Sequence, residues 1–349
     1  MMTQAAFNFF AKDGKRNTPR LARVAGKPVE EAPRRPEATD PGDAIGFDHA
    51  RYGLVPPAPC LWPGHPVREG WERGRHLVGR RTRPATLAVT RWLGLRLAAW
   101  HGGEAFDDHQ VTPQLLRSLE VATHCPVTGR ALQDDARVVP VDQARGWVAG
   151  NLVLLDPALA ARWRGIDLAV ARDALARAED DPQGLADGLP RRHWCRIVAL
   201  KSLATPLPGA QAARVPLHVL PPNRLRLVNP IQELQAMLTL QLATPGWGQR
   251  ARGIADAMPE SLRNDFNLFF NSLLAQALRQ GHGAAKAGMR DALATAWGDE
   301  VVLRRWLRFS ALVDAALAET LVERLTREPM PGLYVVRHGE VEAKQAMAA

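Results

Sequence analysis

The residues whose types and spacing could do chemistry lie between 107 and 151. His124 and Cys125 open a Cys-x-x-Thr-Gly turn that includes Thr128 and Gly129. Val138, Val139 and Val141 follow, then Asp142, Gly146, Trp147 and Asn151, and then the apolar run Leu152 to Leu155. Just upstream, Asp107, Asp108 and His109 place two carboxylates beside an imidazole. Carboxylate and imidazole groups hold divalent cations, and a metal-activated water beside a general base cuts phosphodiesters. Asp142, His124 and His109 are therefore the catalytic candidates, and Mg²⁺ is the one cofactor an active site of this kind implies; otherwise none is expected. The cysteines point elsewhere. A structural zinc knuckle wants paired Cys-x-x-Cys motifs, but Thr128 stands where the second thiolate belongs, and Cys60 and Cys195 each stand alone in the sequence. Three unpaired cysteines fit a reducing compartment without a disulfide frame, and Cys125 reads as a small buried hydrophobe.

The order of these residues resembles the HNH-endonuclease superfamily, in members that read Cys-x-x-Thr-Gly, then Ser-x-Asp-Arg-Ile-Asp, then Gly-Tyr-x-x-x-Asn-Val. The resemblance covers residues 124–165 and implies two strands closed by a helix. It carries the scaffold positions onto Cys125, Thr128, Gly129, Gly146, Trp147 and Asn151, with the Asn expected to fix the loop between the strands. It carries the family's Asp-Arg or Asp-His pair onto Val139-Pro140, the following Asp onto Asp142, and a helix ligand onto Ala161. Valine, proline and alanine neither bind a cation nor move a proton. The resemblance thus implies a module that keeps its frame and has lost its metal seat, unless Asp107-Asp108-His109 supplies the missing ligands from a neighbouring element.

The elements that must position these residues are mostly helical. Leu87, Trp92, Leu95 and Ala99 share a helical stripe over 86–100, which His-Gly-Gly ends. Thr112-Pro113 reads as N-cap plus first-turn proline of a helix over 113–122. After the hairpin, a helix from Asp167 runs into the acidic breaker Glu-Asp-Asp-Pro-Gln-Gly. Residues 190–330 read as a helical bundle: a helix at 194–203, an extended segment at 215–230, a helix capped by Asn229-Pro230, others near 260–280 and 284–297, and a last one running from an Asp299 cap to Leu325. The expected fold class is mainly α, with a small ββα module, a C-terminal helical bundle and a disordered N-terminal tail. The expected divisions are a basic tail at 1–45, an irregular and helical Arg/Trp-rich segment at 46–112, the ββα module at 113–180, the helical domain at 190–330 and a tail at 331–349.

Charge narrows the partners. The chain of 349 residues carries a formal net charge of +9, and residues 1–105 hold 17 Lys and Arg against 10 Asp and Glu, a surplus of seven. Arg68, Arg73, Arg75, Arg80, Arg81, Arg83, Arg91 and Arg96 face only Glu69 and Glu72, with Trp62, Trp71, Trp92 and Trp100 among them. Guanidinium forks grip phosphates, and indole faces stack on bases or on guanidinium planes. Arg73, Arg75, Arg80, Arg81, Arg83 and Arg91 are the candidates for a DNA or RNA backbone. The opposing reading makes the arginines a solvated face and the tryptophans core anchors. A protein partner is the other expectation, through the helical domain or the Phe7, Phe9 and Phe10 motif. No apolar run reaches membrane-spanning length, and the N-terminus lacks a secretory pattern, so a cytoplasmic protein is expected.

One further motif, Leu-Tyr-Val-Val-Arg-His-Gly-Glu at 333–340, matches the opening strand and loop of histidine phosphatases. The eleven residues after His338 are too few to complete that site, so no catalysis is expected from it. The leading reading is a nucleic-acid-binding or structural protein on a degenerate HNH-like module. The alternatives are an active metal-dependent endonuclease using Asp142 with His124 or His109, and a helical protein-interaction scaffold.

Overall fold

A computed structural model describes residues 40–243, 246–280 and 286–326. The tail expected before residue 40, its phenylalanine motif and the Arg-His-Gly motif near 337 lie outside the described residues. Among those described, the chain is mainly helical, with fourteen α-helices and two short antiparallel hairpins, and no helix is long and apolar enough to cross a membrane. The chain divides into two compact units, one of residues 40–118 with 146–148, the other of residues 119–145 with 149–326.

The first unit begins with α1 (Pro41–Arg51), α2 (Pro66–Val78), α3 (Leu87–His101) and α4 (Pro113–Leu119). α1 corrects the expected tail at its end: Asp40 caps it by accepting from the Gly42 amide at 2.6 Å, and Pro41 takes the first turn. Within the 46–112 segment, residues 46–75 read as irregular, and this is corrected as well, since the second half of α1 and most of α2 fall there. The tail reads as disordered from its Pro, Lys, Arg and Glu, and the 46–75 stretch as irregular from its Pro, Gly and Trp; the glycines there have another use. Gly46 on α1, and Gly70 and Gly74 one turn apart on α2, let the two backbones meet, while Gly42 makes room for the Trp100 ring. A Cβ on Gly46 would stand 1.9 Å from the Val67 carbonyl, and one on Gly70 1.9 Å from that of Asp43. The helix propensity these glycines forfeit, about 1 kcal/mol each, is exchanged for close packing. α3 starts as expected at Thr86, whose hydroxyl accepts from the Val89 amide at 3.3 Å.

The second unit holds β1 (Arg137–Pro140), β2 (Leu152–Leu155), α5 (Pro157–Trp163), α6 (Leu168–Asp180), β3 (Leu185–Ala186), β4 (Leu189–Pro190) and α7 (Arg191–Ala204). α8 (Gly209–Ala213), α9 (Pro230–Leu240), α10 (Trp247–Ala257), α11 (Glu260–Gln280), α12 (Lys286–Ala296), α13 (Glu300–Ser310) and α14 (Ala315–Thr326) complete it. One hydrophobic core runs from Cys125 through Trp163, Trp194, Trp297 and Trp306 to Leu325. The segments expected as separate domains at 113–180 and 190–330 thus share a core. The helix expected from Asp299 to Leu325 is two helices, because the Asp314 carboxylate accepts from the Leu317 amide at 2.7 Å and starts α14 afresh. Asn229 stands at the N-cap of α9, but its side chain serves the preceding loop instead. It donates to the Ser202 and Thr205 carbonyls and accepts from the Leu207 amide at 2.9 Å.

Candidate functional site at the hairpin and helix

β1 and β2 pair antiparallel, with Val139 opposite Val153, because two β-favouring apolar runs flank a turn-rich loop. α5 follows at once: Asp156 accepts from the Leu159 amide at 3.1 Å and Pro157 opens the first turn. The hairpin-then-helix expected at this locus is present. Asn151 is fully buried and spans the loop, its Oδ1 accepting from the Asp142 amide at 3.0 Å and its Nδ2 donating to the Asp142 carbonyl at 2.7 Å. The Cys125 turn closes through the Gly129 amide on the Cys125 carbonyl at 2.9 Å, with Gly129 at φ 71°. Thr128 then donates to Asp156 at 2.8 Å, fastening the turn to the start of α5. Burial pushes the Asp156 carboxyl up, but hydrogen bonds from Thr128, the Leu159 amide and Cys125, with the charge of Arg130, together hold it below its ordinary value.

Gly146 and Trp147 belong to the first unit. The Trp147 indole donates to Glu104 at 2.6 Å and its ring stacks on Phe106. Gly146, at φ 63°, comes so near the Ala105 carbonyl that a Cβ would stand 2.8 Å away.

At the positions the resemblance reserves for chemistry, Val139 is half-buried, Pro140 buried and Ala161 exposed. What lies between the end of β1 and α5 is a lysine. Lys201, on α7, is 1% exposed; its Nζ donates to the Val141 carbonyl at 2.7 Å and sits 4.0 Å from the centroid of the Trp163 ring. Trp163 in turn donates its indole N–H to the Pro140 carbonyl at 2.8 Å. Burial pushes the ammonium down to about 8, against the opposing pull of Asp142 and Asp167. Arg145 is also held low, by burial and by the charge of Arg226, again against Asp142. The charges that bear on Asp142 here are thus cationic, and they oppose a second cation at this spot.

Each catalytic candidate stands in its own local setting. Asp142 accepts from the Ala144 amide at 3.0 Å as a turn residue. His124 is exposed and bonded to the Thr123 hydroxyl at 2.9 Å. The His109 side chain is 94% exposed, Asp107 caps the His109 and Gln110 amides, and Asp108 pairs with Arg96 at 3.0 Å. Among the described residues, the His, Cys, Asp and Glu group close enough to share a cation is Cys60, His65 and His101, in the first unit. It includes none of the residues singled out for catalysis. Sequence reasoning also missed Asp156 and Lys201. Asp156-Pro157 carries an N-cap signal; Lys201 carries none, since its partners lie 38 and 60 residues away.

On the basic stretch, Arg73 is ion-paired to Asp43 and Arg75 lies 4.8 Å over the Trp71 ring. Arg80 and Arg81 are exposed, Arg83 and Arg91 half-buried. Arg96 is withdrawn into the core. Trp92 and Trp71 anchor backbone carbonyls, at Val111 and Leu54, whereas Trp62 is 62% exposed. No protein-family model matches the chain, and no curated protein or solved structure matches it at a significant level.

Proposed function

We propose that this protein binds a nucleic-acid backbone through its first unit, and that its hairpin-and-helix module is an HNH-like frame serving a structural rather than a catalytic role. The observation that carries the binding reading is a run from Arg73 to Gly103 that contains seven arginines and no carboxylate. The fold draws Arg73 and Arg96 from that run into ion pairs and leaves Arg75, Arg80 and Arg81 exposed. Such a surface attracts polyphosphate without reading sequence. Lys201, buried beside the end of β1, supports the non-catalytic half. A fixed ammonium beside Asp142 disfavours a metal ion there, and the residues aligned with the family's ligands carry no donor.

The test is fluorescence anisotropy of the full chain with mixed-sequence duplex DNA and RNA over a salt series, beside a plasmid-nicking assay in Mg²⁺ and Mn²⁺. Binding that falls steeply with salt, and that weakens about tenfold or more on reversing Arg80, Arg81 and Arg83 to Glu, is expected. No retention at low salt, or retention indifferent to the reversal, overturns the binding reading in favour of a protein-interaction scaffold. Metal-dependent nicking that disappears in Asp142→Ala overturns the non-catalytic one.

A further inference from the structure

Cys60 stands alone in sequence, yet three different elements bring donors to it. The 3₁₀ turn Ala58–Cys60 ends on Cys60. The chain then reverses at Gly64, at φ 80°, and delivers His65 as the N-cap of α2. His101 is the last residue of α3, 36 positions further on. The ligand atoms of the three side chains all lie within 4.8 Å of one another. We propose that Cys60, His65 and His101 form a binding site for a borderline-soft divalent transition-metal ion, zinc foremost.

One thiolate and two imidazoles are the donor set that such ions select over Mg²⁺ or Ca²⁺. Around tetrahedral zinc, sulfur and nitrogen ligands stand about 3.5 Å apart, so rotamer shifts of about an ångström close the group on the ion. Three protein ligands leave a fourth position for water or a partner's donor. Cys60 and His65 are buried while His101 is exposed, which gives the ion a way in. The rings of Trp62 and Trp100, 5.7 and 5.5 Å from that of His65, flank the imidazole. The C-terminal end of α3 also favours a cation beside His101.

The site has one internal exchange to make. His65 Nδ1 accepts from the Val67 amide at 3.2 Å. A metal-bound imidazole carries its proton on the other ring nitrogen, so coordination through either nitrogen gives up this long hydrogen bond for the metal. The Cys60 thiol must release its proton to bind the ion.

The experiment is titration of the full-length reduced protein with Co²⁺ followed by absorption, with Zn²⁺ as competitor, on wild type, His101→Ala and Cys60→Ser, each checked for native circular dichroism. The wild type is expected to show a thiolate-to-cobalt charge-transfer band with intense tetrahedral visible bands, both displaced by stoichiometric Zn²⁺. Cys60→Ser is expected to lose the charge-transfer band. His101→Ala, at an exposed helix end, is expected to fold and to bind Zn²⁺ about tenfold or more weakly. A wild type without the thiolate band overturns the site, and so does a band that His101→Ala leaves at full affinity. If Cys60→Ser does not fold, His101→Ala decides alone.

Discussion

Each unit buries one cation against an indole face, and the two do it differently. In the first, Arg96 is 4% exposed, lies 4.6 Å over Trp92 and is bonded to two carboxylates, Asp48 at 2.6 Å and Asp108 at 3.0 Å. In the second, Lys201 rests on Trp163 with a backbone carbonyl for a hydrogen-bond partner, and the charges of Asp142 and Asp167 only partly offset its burial. Arg96 is one member of a compensated group whose other members depend on it. Lys201 is held against its own desolvation. A guanidinium with five donors can satisfy two carboxylates and still stack; an ammonium stripped of water and given a carbonyl loses part of its grip on its proton.

The largest expected effect follows from the compensated group. Arg96→Met removes the cation 2.6 Å from buried Asp48, leaving Arg51 at 4.0 Å, and should lower stability by about 3–5 kcal/mol, read by urea denaturation. A loss below about 1 kcal/mol would put Arg96 on a par with surface pairs and remove the contrast. A second base of the uncompensated unit extends the comparison. His218 is pushed from 6.5 to about 4, first by burial and then by Arg191 and Arg196, against a hydrogen bond to the Ala294 backbone. The unfolded chain holds a proton on His218 that the folded chain lacks across that window. Its stability contribution is therefore intact above pH 6.5 and lost as pH falls toward 4, up to about 3 kcal/mol. Denaturation of His218→Gln should show that acid dependence flattened.

Lys201 gives the alkaline counterpart. Its folded value of about 8 lies below the ordinary 10.5, so between those values the unfolded chain binds the extra proton. Stability then rises with pH, by at most about 1.4 kcal/mol per unit. Lys201→Met should remove that slope and, at pH 7, shift stability by less than about 2 kcal/mol, since relief of desolvation offsets the lost cation–π contact and hydrogen bond. A collapse on the scale of Arg96→Met would break the comparison. The smallest effect is expected from Asp142→Ala. Removing a charge that supports the ammonium should move the Lys201 titration further down, seen as an earlier onset of the alkaline slope. An unmoved onset would mean that Asp142 does not act on Lys201.

The local frame of the hairpin was legible in the sequence. The strand runs at 137–140 and 152–155, the Asn151 brace, the Thr86 cap of α3 and the Asp299 cap of α13 all stand where the residues place them. The first unit was less legible because its Pro, Gly and Trp were read by composition, whereas the glycines serve a backbone crossing with a segment more than twenty residues away. Arg96 was counted in the basic stretch without being a candidate ligand, and its burial was not legible for a related reason. Nothing within a helical turn of it shows that Asp48 and Asp108 remove it from solvent.

Caps, turns and apolar periods are interactions within about four residues, and these the chain encoded without help. The partners of buried charge were settled only by the tertiary structure. Val141 lies 60 positions from Lys201 and Asp48 lies 48 from Arg96, and the gathering of Cys60, His65 and His101 is of the same kind. Charge compensation and ligand convergence depend on distance through space, which spacing along the chain does not specify.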